Sequence, residues 1–212
     1  MIYYDMVGKT FEFNNKVKFA HGKQADLFLC DDKVLKVYYE SVPRIDYRTF
    51  KVLRRIKSRH FIDLIDTYSK AKNAGVIDAY TSYYIDDKRN LESYSTDEFI
   101  SEIQGLVRLT DFFANFKILM SDVHKDNLIF SDHIKLIDPD KYIICNMKKE
   151  DIIIQNRIQL LNALKSYIRE NTDTISEERL YNLFNFNKRE DIGEQMSLKL
   201  RNNDSMTSYL VK

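Results

Sequence analysis

The hydrophobic period of this chain changes once along its length, and that change restricts its fold more than any other feature. Through residues 9–39 apolar positions alternate as strands require. In "KTFEFNNKVKFA", Phe11 and Phe13, then Val17 and Phe19, flank the turn pair Asn14-Asn15. "HGKQADLFLCDDKVLKVYY" continues with Leu27–Cys30, a turn at Asp31-Asp32, and Val34–Tyr39. Ser41 and Pro43 signal a helix start, and Tyr47, Phe50, Leu53 and Ile56 follow at near-helical spacing. Short apolar runs at 61–68 and 75–85 end in the polar break "DDKRN". From residue 95 the period is helical: Ser95 and Glu98 spell a capping box ahead of Phe99, Ile103, Leu106, Val107 and Phe113. Ile154, Ile158, Leu161, Leu164 and Ile168 mark a later helix. Thr174 with Glu177 caps another reaching about Phe184, and 188–203 allows a last one. Strands gathered in one half and helices in the other predict an α+β fold, β-rich over residues 1–85 and mostly helical over 86–212.

A chain of 212 residues buries a sizeable core, and 5 Gly and 2 Pro leave little flexible linker. Its 33 Lys and Arg balance 32 Asp and Glu, so no nucleic-acid partner held by a broad basic face is expected. Cys30 and Cys145 lie far apart without a CxxC pair and read as reduced thiols, not as a disulfide framework or zinc site. No run approaches a membrane span, and "MIYYDMVGKT" lacks a secretory pattern, so the expected location is cytoplasmic. Richness in Ile, Lys and Asn suggests a bacterial source. The basic cluster "RRIKSRH", 54–60, reads as a solvated helix face, His21 and His60 as surface or capping residues, and His133 as an exposed turn residue.

The chemistry concentrates in "SDVHKDNLIFSDHIKLIDPDKY", residues 121–142, where "NLIF" and "IKLI" straddle "SDH" as a small hairpin. Asp122 precedes the hairpin, Asn127 follows five residues later, and Asp138 ends the second strand. A carboxylate, a carboxamide and a second carboxylate around one hairpin suit a magnesium–phosphate site, because Mg2+ takes few hard oxygen ligands from protein. Asp126 and Asp132 read as turn residues. Asp140 reads either as a further metal carboxylate or as a solvated or capping one.

Asp122 to Asn127, followed by a strand ending in Ile137-Asp138, resembles the catalytic and metal-binding loops of the protein-kinase-like superfamily. "VLKVY" resembles the small-lobe strand that carries the phosphate-contacting lysine, which would be Lys36. "HGKQADLFL" resembles a degenerate phosphate-covering loop around Gly22, and "AYTSYYIDD" the strand leading to the hinge, with Tyr83, Tyr84 and Ile85 near the adenine. The resemblance spans about residues 10–145 and implies a two-lobed fold, ATP and Mg2+ as cofactors, Asp122 as the base, and Asn127 and Asp138 as metal ligands. Several positions depart from the family pattern. Met120 replaces a histidine, and the usual Asp-Phe-Gly becomes Asp138-Pro139-Asp140, in which Pro139 fixes the backbone. "YRTFKVLRRI" has Thr49 where the family has a Glu that pairs with the lysine, leaving Asp46 or Glu40 as substitutes. His124 stands where classical protein kinases usually have Lys and where enzymes similar to aminoglycoside and choline kinases often have His; it reads either as a hydrogen-bonding loop residue or, beside Asp122, as a contact to the transferred phosphate. The resemblance implies a small Ser/Thr protein kinase acting on a protein; a small-molecule kinase or a pseudokinase binding module are the alternatives.

Overall fold

Two-residue alternation shapes the N-terminal sheet in the computed structural model, which describes residues 2–5, 7–13, 16–72, 75–86, 89–171 and 175–186. β1 (Ile2–Tyr4) and β2 (Thr10–Glu12) pair as an antiparallel hairpin. β3 (Val17–His21), β4 (Ala25–Cys30), β5 (Lys33–Tyr38), β6 (Leu64–Tyr68) and β7 (Ala79–Tyr83) form an antiparallel sheet in the order β3-β4-β5-β7-β6. Leu35 and Val37 of β5 pack under the β1–β2 hairpin with Tyr3, Phe11, Phe13, Tyr68 and Ala79. Lys36 and Tyr38 therefore face the opposite side, where Tyr38 joins Ala25 and Tyr80 in the larger core. The turn at Asp31 and Asp32 joins β4 to β5 as expected, with Asp31 at φ 56°. Asn14-Asn15 lies outside the described residues.

The helix after β5 begins later than Ser41 and Pro43 suggest. Ser41 sits at φ 64°, a left-handed conformation that a right-handed helix cannot include. α1 (Tyr47–Leu53) starts instead after Asp46, whose carboxylate accepts from the backbone N–H of Arg48 at 2.8 Å and of Thr49 at 3.0 Å. Phe50 and Leu53 bury its inner face.

The second half follows its capping signals. α2 (Thr96–Asn115) opens on the capping box: Ser95 Oγ accepts from Glu98 N at 3.3 Å, and the Glu98 carboxylate accepts from Ser95 N at 2.8 Å. β8 (Ile118–Leu119), β9 (Leu128–Phe130), β10 (Ile134–Leu136) and β11 (Ile143–Ile144) form two small antiparallel pairs, β9 with β10 and β8 with β11. α3 (Lys149–Asn171) and α4 (Glu177–Leu183) complete the order. The cap of α4 is Ser176, which accepts from Arg179 N; Thr174 and 188–203 lie outside the described residues. Phe99, Ile103, Leu106 and Phe113 of α2 share one core with Leu136 of the hairpin, Leu161 of α3, and Phe50 and Tyr80 beneath the sheet. The result is a β-rich N-terminal sheet on a helical C-terminal part. Cys30 and Cys145 are free thiols. Among the described residues no helix is long and apolar enough to cross a membrane.

His60 departs from its expected surface position: it is 4% exposed and ties the loop before β6 to the helical part. Its Nδ1 lies 3.2 Å from the Ile134 carbonyl and 3.4 Å from Glu102, and Glu102 also accepts from Ile134 N and contacts His133. His133 is consequently half-buried, not free in its turn. Gly105 leaves the space for this ring; a Cβ there would stand 1.9 Å from His60 Nε2. Gly105→Ala gains about 1 kcal/mol of helix propensity but overpacks a ring that its partners hold in place. We expect a net loss of about 1–3 kcal/mol in urea unfolding; unchanged or raised stability would contradict this packing. Burial also holds the His60 pKa below the usual histidine value, against the Ile134 carbonyl and Glu102. With the folded pKa depressed, the stabilising contribution of the neutral ring is complete above about pH 6.5 and is lost as pH falls through the folded value. Urea midpoints measured from pH 7.5 to 5.5 should therefore fall less steeply in His60→Gln than in wild type.

Candidate active site

The hairpin of β9 and β10 holds its flanking polar residues through main-chain bonds. Asn127, 4% exposed, donates its N–H to the His124 carbonyl and accepts the His124 N–H on Oδ1, both at 2.9 Å. Its carbonyl accepts from Ile137 N at 2.9 Å, which fixes the residue before Asp138. Asp122 and Asp138 both occupy the left-handed region, at φ 60° and 57°. Each such residue costs about 1–2 kcal/mol relative to ordinary backbone, and strain of this kind gathers where geometry serves a site.

Lys36 reaches this hairpin from the sheet. Its Nζ is 2.5 Å from Asp138 Oδ1 and 2.7 Å from Asp140 Oδ2, across about half the chain in sequence. Burial works against the ammonium, but Asp140 and Asp138 outweigh it and hold the Lys36 pKa above the usual lysine value. Asp140 is 5% exposed; its Oδ1 accepts from the Tyr38 hydroxyl at 2.7 Å and the Tyr80 hydroxyl at 3.3 Å. Burial pushes the Asp140 carboxyl up to about 6, with Lys36 opposing and Asp138 adding. Burial and then Asp140 raise Tyr38 and Tyr80, so both stay protonated donors. Asp122 lies on the open side, its Oδ2 2.6 Å from Lys141 Nζ, with about half of its side chain exposed.

An apolar slot ends at the Lys36–Asp138 pair. Phe19, Leu27 and Val34 line it from the sheet, and Ile129 and Ile137 from the hairpin segment. Tyr83 at the end of β7, and Tyr84 and Ile85 after it, edge the slot. A flat heteroaromatic ring suits such walls, with charged groups meeting at the far end. Gly22 is not among the lining residues. It sits in the β3–β4 turn, its N–H bonded to the Ala25 carbonyl at 2.9 Å, and Tyr39 and His21 meet Asp26 beside it.

The carboxylates that meet Lys36 are thus not those expected from the chain after β5. Asp46 caps α1 and also accepts from the Thr49 hydroxyl, while exposed Glu40 lies 4.0 Å from Lys70. Neither contacts Lys36. His124 is half-exposed and pairs with Asp126 at 3.6 Å. Met120, 1% exposed, serves as scaffold. Its N–H donates to Asn156 Oδ1 at 2.7 Å, and Asn156 Nδ2 donates to the Ile118 carbonyl at 3.0 Å, so α3 holds the approach to Asp122.

Spacing alone does not single out Lys141, Tyr38, Tyr80 or Asn156. Two signals existed: Tyr38 lies two residues beyond Lys36 and so shares its strand face, and Asn156 interrupts the stripe Ile152, Leu160, Leu164 at four-residue intervals. Oxygens suited to Mg2+ are present. Asp138 is part-exposed at the slot end, and the Asn127 side-chain oxygen Oδ1 keeps a lone pair beyond its bond to His124 N. Among the described residues no three His, Cys, Asp or Glu converge as a metal cage. That donor set fits an ion completing its shell with phosphate and water.

No family model matches the chain, and no curated protein does. Solved structures do match. One is the kinase PK-1 of Cydia pomonella granulovirus, with a TM-score of 0.54 and 15% identity over 76% of this chain and 71% of that one. The polypeptide therefore has a protein-kinase-like fold.

Proposed function

We propose that this protein is an ATP- and magnesium-dependent phosphotransferase that acts on a Ser or Thr hydroxyl of a protein. The observation that carries the reading is the convergence of Lys36 from the sheet with Asp138 from the hairpin at the end of one apolar slot. The adenine would lie between Val34 and Leu27 above and Ile129 and Ile137 below, with Tyr83 and Ile85 at its edge. Lys36 would contact the ATP phosphates, and Asp138 with Asn127 would hold the metal. Bound Mg2+ supplies charge neutralisation on the phosphate oxygens. Asp122 would accept the proton of the attacking hydroxyl, and Lys141 beside it would hold that carboxylate in place. The half-exposed Asp122 supports a protein acceptor: a hydroxyl on a large partner can approach an open carboxylate, whereas small ligands usually need most of their surface buried.

Two variants separate the roles. In a phosphate-transfer assay with dephosphorylated casein, Asp122→Ala should lower kcat by about 100-fold or more while ATP still binds. Asp138→Ala should abolish both transfer and magnesium-dependent nucleotide binding. Wild-type rates unchanged in both variants would remove catalysis from this site. Transfer to a sugar, choline or aminoglycoside but not to casein would replace the protein acceptor with a small molecule.

A further inference from the structure

α1 offers Lys36 no carboxylate. Thr49 is fully buried on that helix, and Asp46 is occupied in capping it. A buried ammonium needs a fixed partner, because removing one member of a buried pair leaves an uncompensated charge. Asp138 suits that task poorly: its side chain is 39% exposed, and on the functional reading above its oxygens turn to the metal. Asp140 suits it well. Its side chain is 4% exposed, and two tyrosines on the sheet hold one oxygen while the other faces Lys36.

The sheet register explains this clamp. Lys36 and Tyr38 are two residues apart on β5 and share a face, and Tyr80 is the cross-strand neighbour of Lys36 on β7. Three side chains from two adjacent strands therefore grip a single carboxylate from the other half of the protein. Pro139 fixes the backbone φ between that carboxylate and Asp138.

We propose that Asp140 is the positioning residue for Lys36, replacing a helix carboxylate, and that it is not a ligand of the metal. The inference rests on the phosphotransferase reading for its catalytic meaning. Its structural consequence is that the phosphate-contacting lysine takes its position from the Asp-Pro-Asp turn. Lys36 and Asp138 then move as one unit, and α1 is left out of the arrangement.

A double-mutant cycle of Lys36→Met, Asp140→Asn and the combination tests this, since Asn preserves the shape of Asp140 and can keep its tyrosine bonds. Without nucleotide, Asp140→Asn should lower Tm by roughly 2–12 °C, since Asp138 stays beside Lys36, and the double variant should melt no lower than the less stable single. Additive losses of Tm would overturn the pairing. In turnover, Asp140→Asn should lower kcat/KM for ATP by about 100-fold, with the Mg2+ concentration for half-maximal rate unchanged. The double variant should then be no slower than Lys36→Met alone. Multiplying rate losses, or a raised Mg2+ requirement in Asp140→Asn, would overturn the positioning role and return Asp140 to the metal. Coupled melting in a wild type that neither binds nor turns over ATP would overturn the phosphotransferase reading, and with it the catalytic role of the pair.

Discussion

A buried ammonium in contact with two carboxylates joins the halves of this protein. Lys36 leaves the sheet on the face that β5 alternation assigns to it and meets Asp138 and Asp140 on the far side of the slot. Taking these charges out of water is costly, and only close geometry with additional hydrogen bonds compensates. The hydroxyls of Tyr38 and Tyr80 supply those bonds. The contact spans the sheet and the hairpin segment, and the apolar slot is lined from both.

The remaining site geometry follows from how the hairpin is held. Asn127 bonds both to the His124 main chain and, through its carbonyl, to Ile137, so the segments before and after the hairpin are locked together. Asn156 reaches from α3 to the main chain at Ile118 and Met120 and fixes the approach to Asp122. From below, the cluster of His60, Glu102 and His133 ties β10 to α2 and to the chain before β6. With both ends anchored, Asp122 and Asp138 can be held in left-handed conformations that isolated residues would avoid.

Much of this was legible in local pattern, because local pattern is what governs it. Alternation located the strands from Thr10 to Tyr38, the Ser95–Glu98 box located the start of α2, and the "SDH" turn located the β9–β10 hairpin. What spacing missed depends on contacts distant in sequence. α1 starts later than Ser41 and Pro43 predict because Ser41 takes a left-handed conformation and Asp46 is the cap. His60 looked like a surface residue because nothing nearby in sequence reveals Gly105, which makes room for it. Spacing offers Asp46 or Glu40, just after β5, as the partner of Lys36, whereas the carboxylates that meet it come from about a hundred residues later. Strand register, which brings Tyr80 beside Lys36, cannot be read from either strand alone.

The nucleotide slot is tested most directly by the melting temperature with and without saturating ATP and Mg2+, in wild type and in Lys36→Met. A ligand at about 100 times its Kd stabilises by about 2.7 kcal/mol, which for a chain of this size is a rise of roughly 5–11 °C. That rise is expected in wild type and should be largely lost in Lys36→Met. No rise in wild type, or an equal rise in both proteins, would contradict a nucleotide site built on Lys36 and Asp138.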